Sequence, residues 1–236
     1  MRRRIVKTVG LVTALVLILA VVGGIYFFKK DQVQATSEEI SIIQEPAEGI
    51  TLLTDIQYQE TEGNRCYFDI AYQDDGQAKP LLVFVHGGSW MSGSKEEMNS
   101  FLYTFSTLGY TAVSVDYDLL NLTEALQGTC VSVTDEEACV SAALGYLAQH
   151  AEEYQIDTDR VVLIGHSAGG QLIGHLAEQI ADRPEDYAFQ LRGIVLLAAP
   201  SDLRYYLYNN IQMEGLNFSF VDLSFIFDGV YGTDVI

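Results

Sequence analysis

Hydrophobic and polar positions divide the chain into three stretches. The first contains an apolar run, Val9 to Phe28, preceded by Arg2, Arg3, Arg4 and Lys7 and closed by Lys29 and Lys30. As a helix, a run of this length crosses the ~30 Å hydrocarbon core of a bilayer. Asp31 to Gly49 is polar and acidic with no apolar period, which reads as a stalk. From Ile50 onward short β-type runs recur. Ile50 to Tyr58 and Arg65 to Tyr72, joined by Thr61 to Asn64, read as strands, and Asp74 to Gly76 as a turn. Strands at Leu81–Val85, Thr111–Val115, Val161–Ile164 and Gly193–Leu197 then alternate with helices at Glu96–Leu108, Thr134–Tyr154 and Gly169–Ala181. Strands separated by helices of this length predict an α/β domain, with a mostly parallel central sheet covered by helices on both faces. Expected domains are therefore an anchor at 1–30, a stalk at 31–49 and an α/β domain at 50–236.

Composition narrows the setting. With 236 residues and 49% hydrophobic content, the chain can bury one substantial core. A cleaved signal peptide competes with the anchor, but its apolar region runs only about 7–15 residues, and Ala20 to Gly24 (AVVGG) is an indifferent cleavage site. The basic residues before the span outnumber those after it, so the positive-inside rule sets the N-terminus in the cytoplasm and the domain outside a single-pass anchor. Secretion after cleavage is the alternative. Six of the 13 basic residues lie in Met1 to Lys30, leaving seven against all 32 acidic ones. That balance argues against nucleic acid and anionic lipid as partners of the domain, with solubility of an exported domain as the plainer reading of the charge. Of three cysteines, Cys130 and Cys139 are the expected disulfide pair if the domain is exported, with three unpaired thiols as the other reading.

Two segments carry chemistry. Gly165, His166, Ser167, Ala168 and Gly169 form a GxSxG motif between a β-branched strand and a helix, the context of a nucleophile elbow. Upstream, the strand Leu81–Val85 ends in His86, Gly87 and Gly88. There small residues let backbone N–H groups approach a developing oxyanion. Alone, His-Gly-Gly would be an ordinary turn, and the downstream elbow is what changes its reading.

Taken in order, HGGSWMSG (His86 to Gly93), SVDYDL (Ser114 to Leu119), QIDTDRVVLIGHSAGGQL (Gln155 to Leu172) and LLAAPSDL (Leu196 to Leu203) resemble the landmarks of α/β-hydrolase esterases. The likeness is to the branch with hormone-sensitive-lipase-like, kynurenine-formamidase-like and feruloyl-esterase-like enzymes, and it runs from Ile50 to the C-terminus. The resemblance implies an α/β-hydrolase fold that attacks a small-molecule carboxylic ester through Ser167. It implies an oxyanion hole from the N–H groups of Gly87, Gly88 and Ala168, a loop supported by His86 and Asp116, and no metal or organic cofactor. The aromatic segment Leu203 to Val230 corresponds to part of a lid, with ordinary core and surface helix as the other reading.

One element of the pattern is missing. In this fold the acid and then the histidine follow the serine, yet only His175 does so, about 12 Å along the helix axis. It reads as a helix-face residue that packs or bonds locally. His150 closes a helix, and Asp202 reads as a helix cap, with an alternative triad acid as the other reading. Gly229 to Ile236 resembles the link to the strand that leads to the catalytic acid. The chain is thus expected to be a fragment lacking its last strands, rather than a pseudoenzyme with an exposed sheet edge. An inactive surface binding module and an amidase or peptidase on the same fold are the alternative functions.

Overall fold

The computed structural model describes residues 42–59, 65–121 and 131–200. The Val9 to Phe28 run, Cys130, Asp202 and the segment from Leu203 to Val230 lie outside them, and among the described residues no helix is long and apolar enough to cross a membrane. Six strands, β1 (Ile50–Gln57), β2 (Tyr67–Gln73), β3 (Lys79–Val85), β4 (Thr111–Val115), β5 (Ile156–His166) and β6 (Leu191–Leu197), form one sheet in the order β1-β2-β4-β3-β5-β6. Strands β4, β3, β5 and β6 are parallel, while β2 runs antiparallel to both β1 and β4. The mostly parallel sheet expected from the alternation is therefore present.

The apolar runs of β3 and β4 follow from cover on both faces. Leu81, Val83 and Val85 join a core with residues of two helices, α2 (Val133–Gln149) and α3 (Ala168–Asp182), among them Leu144, Leu147, Leu172 and Ile173. Phe84 points the other way, where its ring stacks on Phe101 of α1 (Asn99–Thr107) at 5.5 Å and lies 5.7 Å from Phe105. Ile43, within the expected stalk, donates its N–H to Thr104 Oγ1 of α1 at 3.0 Å.

Boundaries shift where long-range contacts act. Helix α2 ends at Gln149 rather than Tyr154, with His150 as its C-cap, and the chain then enters β5 through Gln155 at φ +52°. Strand β5 starts five residues earlier than its apolar run, since Ile156 and Asp157 pair with Lys79 and Pro80 before a register shift. At its start, α2 has a capping box in which Ser132 Oγ accepts from Asp135 N and Asp135 Oδ2 accepts from Ser132 N.

Next to that cap Glu136 is fully buried, with Oε1 accepting the N–H of Leu120 at 3.2 Å and Oε2 unpartnered among the described residues. Burial pushes its carboxyl up from 4.5 to about 9. The folded protein thus holds a proton that the unfolded chain releases above about pH 4.5, so stability falls as pH rises from there towards 9. Glu136→Gln keeps the bond to Leu120 and removes the titration. In urea melts the variant should match the wild type near pH 4 and gain on it by up to ~1.4 kcal/mol per pH unit above that. A pH-independent difference would show that Glu136 is not neutral in the fold.

Candidate active site

Strand β5 ends at His166, and α3 begins one residue after Ser167. Ser167 sits at φ +52°, ψ −117°, a strained backbone for a residue with a side chain. Two glycines make the turn possible. A Cβ on Gly165 would stand 2.5 Å from the carbonyl oxygen of Gly169, and a Cβ on Gly169 would strike the carbonyl oxygen of His86. The turn is pinned from outside by Ser167 N, which donates to the carbonyl of Leu197 at 2.8 Å, and from within by Gln171 N, which donates to the carbonyl of Ser167. Serine at this position ordinarily caps the helix, but Ser167 makes no side-chain cap hydrogen bond. Among the described residues its hydroxyl has no hydrogen-bond partner, and it lies beside the N-terminus of α3.

The loop after β3 folds against this turn. A Cβ on Gly87 would lie 3.0 Å from the Ser167 Cβ and 2.9 Å from both Nδ1 and the carbonyl oxygen of His166. Gly88, Ser89 and Trp90 all have positive φ, at 128°, 55° and 63°. The carbonyl of Gly88 turns inward to accept from Met91 N, Ser92 N and Ser92 Oγ. Among the described residues no acceptor takes the N–H of Gly87, Gly88 or Ala168. These three N–H groups and the Ser167 hydroxyl come from the facing ends of β3 and β5, the carboxyl edge where open α/β sheets build their sites. A cavity of about 670 Å³ between Thr158, Ala181 and Arg192 lies at the other end of β5 and α3, away from that edge.

His86 and Asp116 stand behind the loop. The buried His86 ring donates from Nδ1 to the carbonyl of Gly87 at 2.7 Å and stacks on Tyr117 at 4.3 Å, while Tyr117 Oη donates to the His86 carbonyl. Its Nε2 is 3.4 Å from Asp116 Oδ1, close enough for ion pairing but without hydrogen-bond alignment. Asp116 Oδ1 accepts from Arg65 Nη2 and from the backbone N–H of Lys95, both at 2.9 Å, and Arg65 Nη2 also donates to the carbonyl of Gly93. One carboxylate thereby ties the far end of the glycine loop to the edge of β2 and β4.

Burial by itself would pull Lys95 down, but hydrogen bonds to Asp55, Glu96 and Asp69 outweigh it and hold the ammonium well above the usual lysine range. The loop exit is thus anchored by a permanent cation.

Four anchoring residues escape a reading of local motifs. Trp90 donates from Nε1 to Gln171 Oε1 at 3.0 Å, fastening the loop to α3, and its carbonyl accepts from Leu120 N. Gln171 follows Ser167 by four residues, one helical turn on the same face, and that spacing is the signal that could have singled it out. Arg65 and Lys95 carry no local signal at all. Three of the four histidines, His86, His150 and His175, are committed elsewhere. His175 Nδ1 bonds Glu137 Oε2 at 2.6 Å, across to α2, and also meets Gln179 Nε2 of its own helix at 3.4 Å, and His150 Nδ1 bonds the carbonyl of Tyr146. His166 is exposed with its ring beside Gly87. Among the described residues no histidine is hydrogen-bonded to Ser167.

Known proteins resemble this chain in part. A non-reducing polyketide synthase, pkbA of Emericella nidulans, is 28% identical over 152 residues, which cover 64% of this chain and 6% of that protein. Lipase 2 of a Moraxella species is 30% identical over 129 residues, 53% of this chain and 28% of the lipase. The chain therefore spans well under a third of either curated relative. Among solved structures, an inhibited esterase B from Lactobacillus rhamnosis superposes with a TM-score of 0.63 at 18% identity, over 97% of this chain and 67% of that one. At that identity the likeness establishes the fold, which is that of the α/β-hydrolases. The BD-FAE family model matches residues 68–214, from β2 through the serine turn and past β6. A match over more than half of the chain makes this protein a member of the BD-FAE family.

Proposed function

We propose that the protein is a serine hydrolase of carboxylic esters. The observation that carries this reading is the Ser167 hydroxyl, free of any capping bond, on a positive-φ turn beside three N–H groups that no acceptor takes among the described residues. Ser167 Oγ attacks the ester carbonyl, and the N–H groups of Ala168, Gly87 and Gly88 receive the oxyanion, each donor typically worth ~3–4 kcal/mol. The tetrahedral adduct expels the alcohol, and water then releases the acid from the acyl-serine. A lipase and an esterase among the similar proteins support an ester as the substrate class. A histidine must take the serine proton, and His86, His150 and His175 are held by other groups.

The apolar run Val9 to Phe28 supports a single-pass anchor with the hydrolase domain outside the cytoplasm. One experiment addresses activity and location together. Spheroplasts of expressing cells are treated with a charged, membrane-impermeant fluorophosphonate, and the adduct on the full-length protein is mapped. Labelling of Ser167 before lysis is the expected result. Labelling only after lysis would retire the external location, whereas no labelling before or after would retire the nucleophile.

A further inference from the structure

Cys66, Asp118 and Cys139 come from three parts of the chain: the residue entering β2, the turn after β4 and the second turn of α2. Their two sulfurs and a carboxylate oxygen all lie within 4.8 Å of one another. The sulfurs are 3.8 Å apart. Two thiolates each 2.3 Å from a tetrahedral zinc ion stand about 3.8 Å apart, so the pair already has the edge length of such a site. Both cysteines are buried and Asp118 is half-buried. Asp118 Oδ1 accepts the N–H of Arg65 at 2.6 Å, which fixes the carboxylate's direction, as an outer partner does in metal sites. On the solvent side the exposed Gln59 brings Oε1 to 3.8 Å from Cys66 Sγ, providing a fourth oxygen or a path for water.

We propose that Cys66, Asp118 and Cys139 form a structural divalent-cation site selective for zinc. Two soft sulfurs with one carboxylate suit zinc rather than magnesium or calcium, which take oxygen-only shells. A disulfide is the competing chemistry, and it would require the sulfurs to close to about 2.05 Å. Burial also keeps a bulky disulfide oxidant from either thiol. The cation would join β2, α2 and the turn that begins at Asp116, two residues before its ligand. Its work is to stiffen the platform under the glycine loop, and it takes no part in the reaction proposed for Ser167.

The test uses the full-length protein, reduced, stripped with a chelator and titrated anaerobically with cobalt(II) as a coloured substitute for zinc. One equivalent should produce thiolate-to-cobalt charge-transfer absorption that zinc abolishes, and zinc should raise the Tm of the stripped protein. Cys66→Ser and Cys139→Ser should remove the absorption, while Cys130→Ser should leave it unchanged. Asp118→Asn, which keeps the side chain's shape and so the fold, should weaken binding by at least the ~10–100-fold typical of losing an outer partner. The proposal is overturned by a folded, reduced protein that shows no charge-transfer band, or by a band that survives loss of either Cys66 or Cys139. It is equally overturned if peptide mapping finds Cys66 linked to Cys139 and the reduced protein takes up no metal. None of these readouts measures catalysis, so failure here leaves the ester-hydrolase reading standing.

Discussion

Ser167→Ala is expected to lower kcat/KM of the full-length protein for short acyl and aryl esters by about 10⁴–10⁶-fold, the range for loss of an activated serine. Its Tm should hardly move. The hydroxyl makes no capping bond, and alanine at φ +52° bears the same backbone strain as serine, so the change removes the nucleophile and little packing. The measurement is kcat/KM across p-nitrophenyl and feruloyl esters, with circular dichroism as the folding control. Turnover by a well-folded protein that is indifferent to this substitution would retire the mechanism. The inactive binding module would then be the better account of the fold.

Gly88→Val should cut kcat by at least the ~10²–10³-fold that accompanies loss of one oxyanion donor. Gly88 has φ +128°, and a Cβ there would strike the carbonyl oxygen of Ser92. The loop cannot yield by moving one flexible side chain, because the obstacle is backbone. Its N–H must swing away from the space in front of Ser167. Since the contact matters chiefly in the transition state, kcat and kcat/KM should fall together while KM changes little. Gly174→Ala on α3 is the control, because a Cβ there meets nothing closer than 4.0 Å. It should keep full activity. Equal loss in both variants would point to global destabilisation instead.

How much of this was written in the sequence depends on the range of each interaction. The order of strands and helices, and the serine turn between β5 and α3, follow from runs of β-branched residues, helical spacing and glycines a few positions apart. These local signals survive without knowledge of the fold. Element ends are set elsewhere: β5 begins at Ile156 because Lys79 pairs with it. The partners of Asp116 arrive from Arg65, 51 positions away, and from Lys95, 21 away. No spacing rule reaches that far. The cysteines show the same limit. Proximity in sequence favoured Cys130 for Cys139, and Cys130 lies outside the described residues. The fold brings Cys66 to Cys139 across 73 positions.

The glycine loop also bears on how this protein can diverge. Gly87 is filled on one side by Ser167 and His166, Gly88 abuts Ser92, and Gly93 lies against His86. Trp90 is tied through its ring to α3 and through its carbonyl to Leu120. An inserted or deleted residue between His86 and Gly93 would break every one of these meetings at once, so descendants are held to a fixed loop length. Ser89 and Met91 are exposed, and at those two places inheritance can alter what the loop shows to its surroundings without disturbing the backbone that faces the serine.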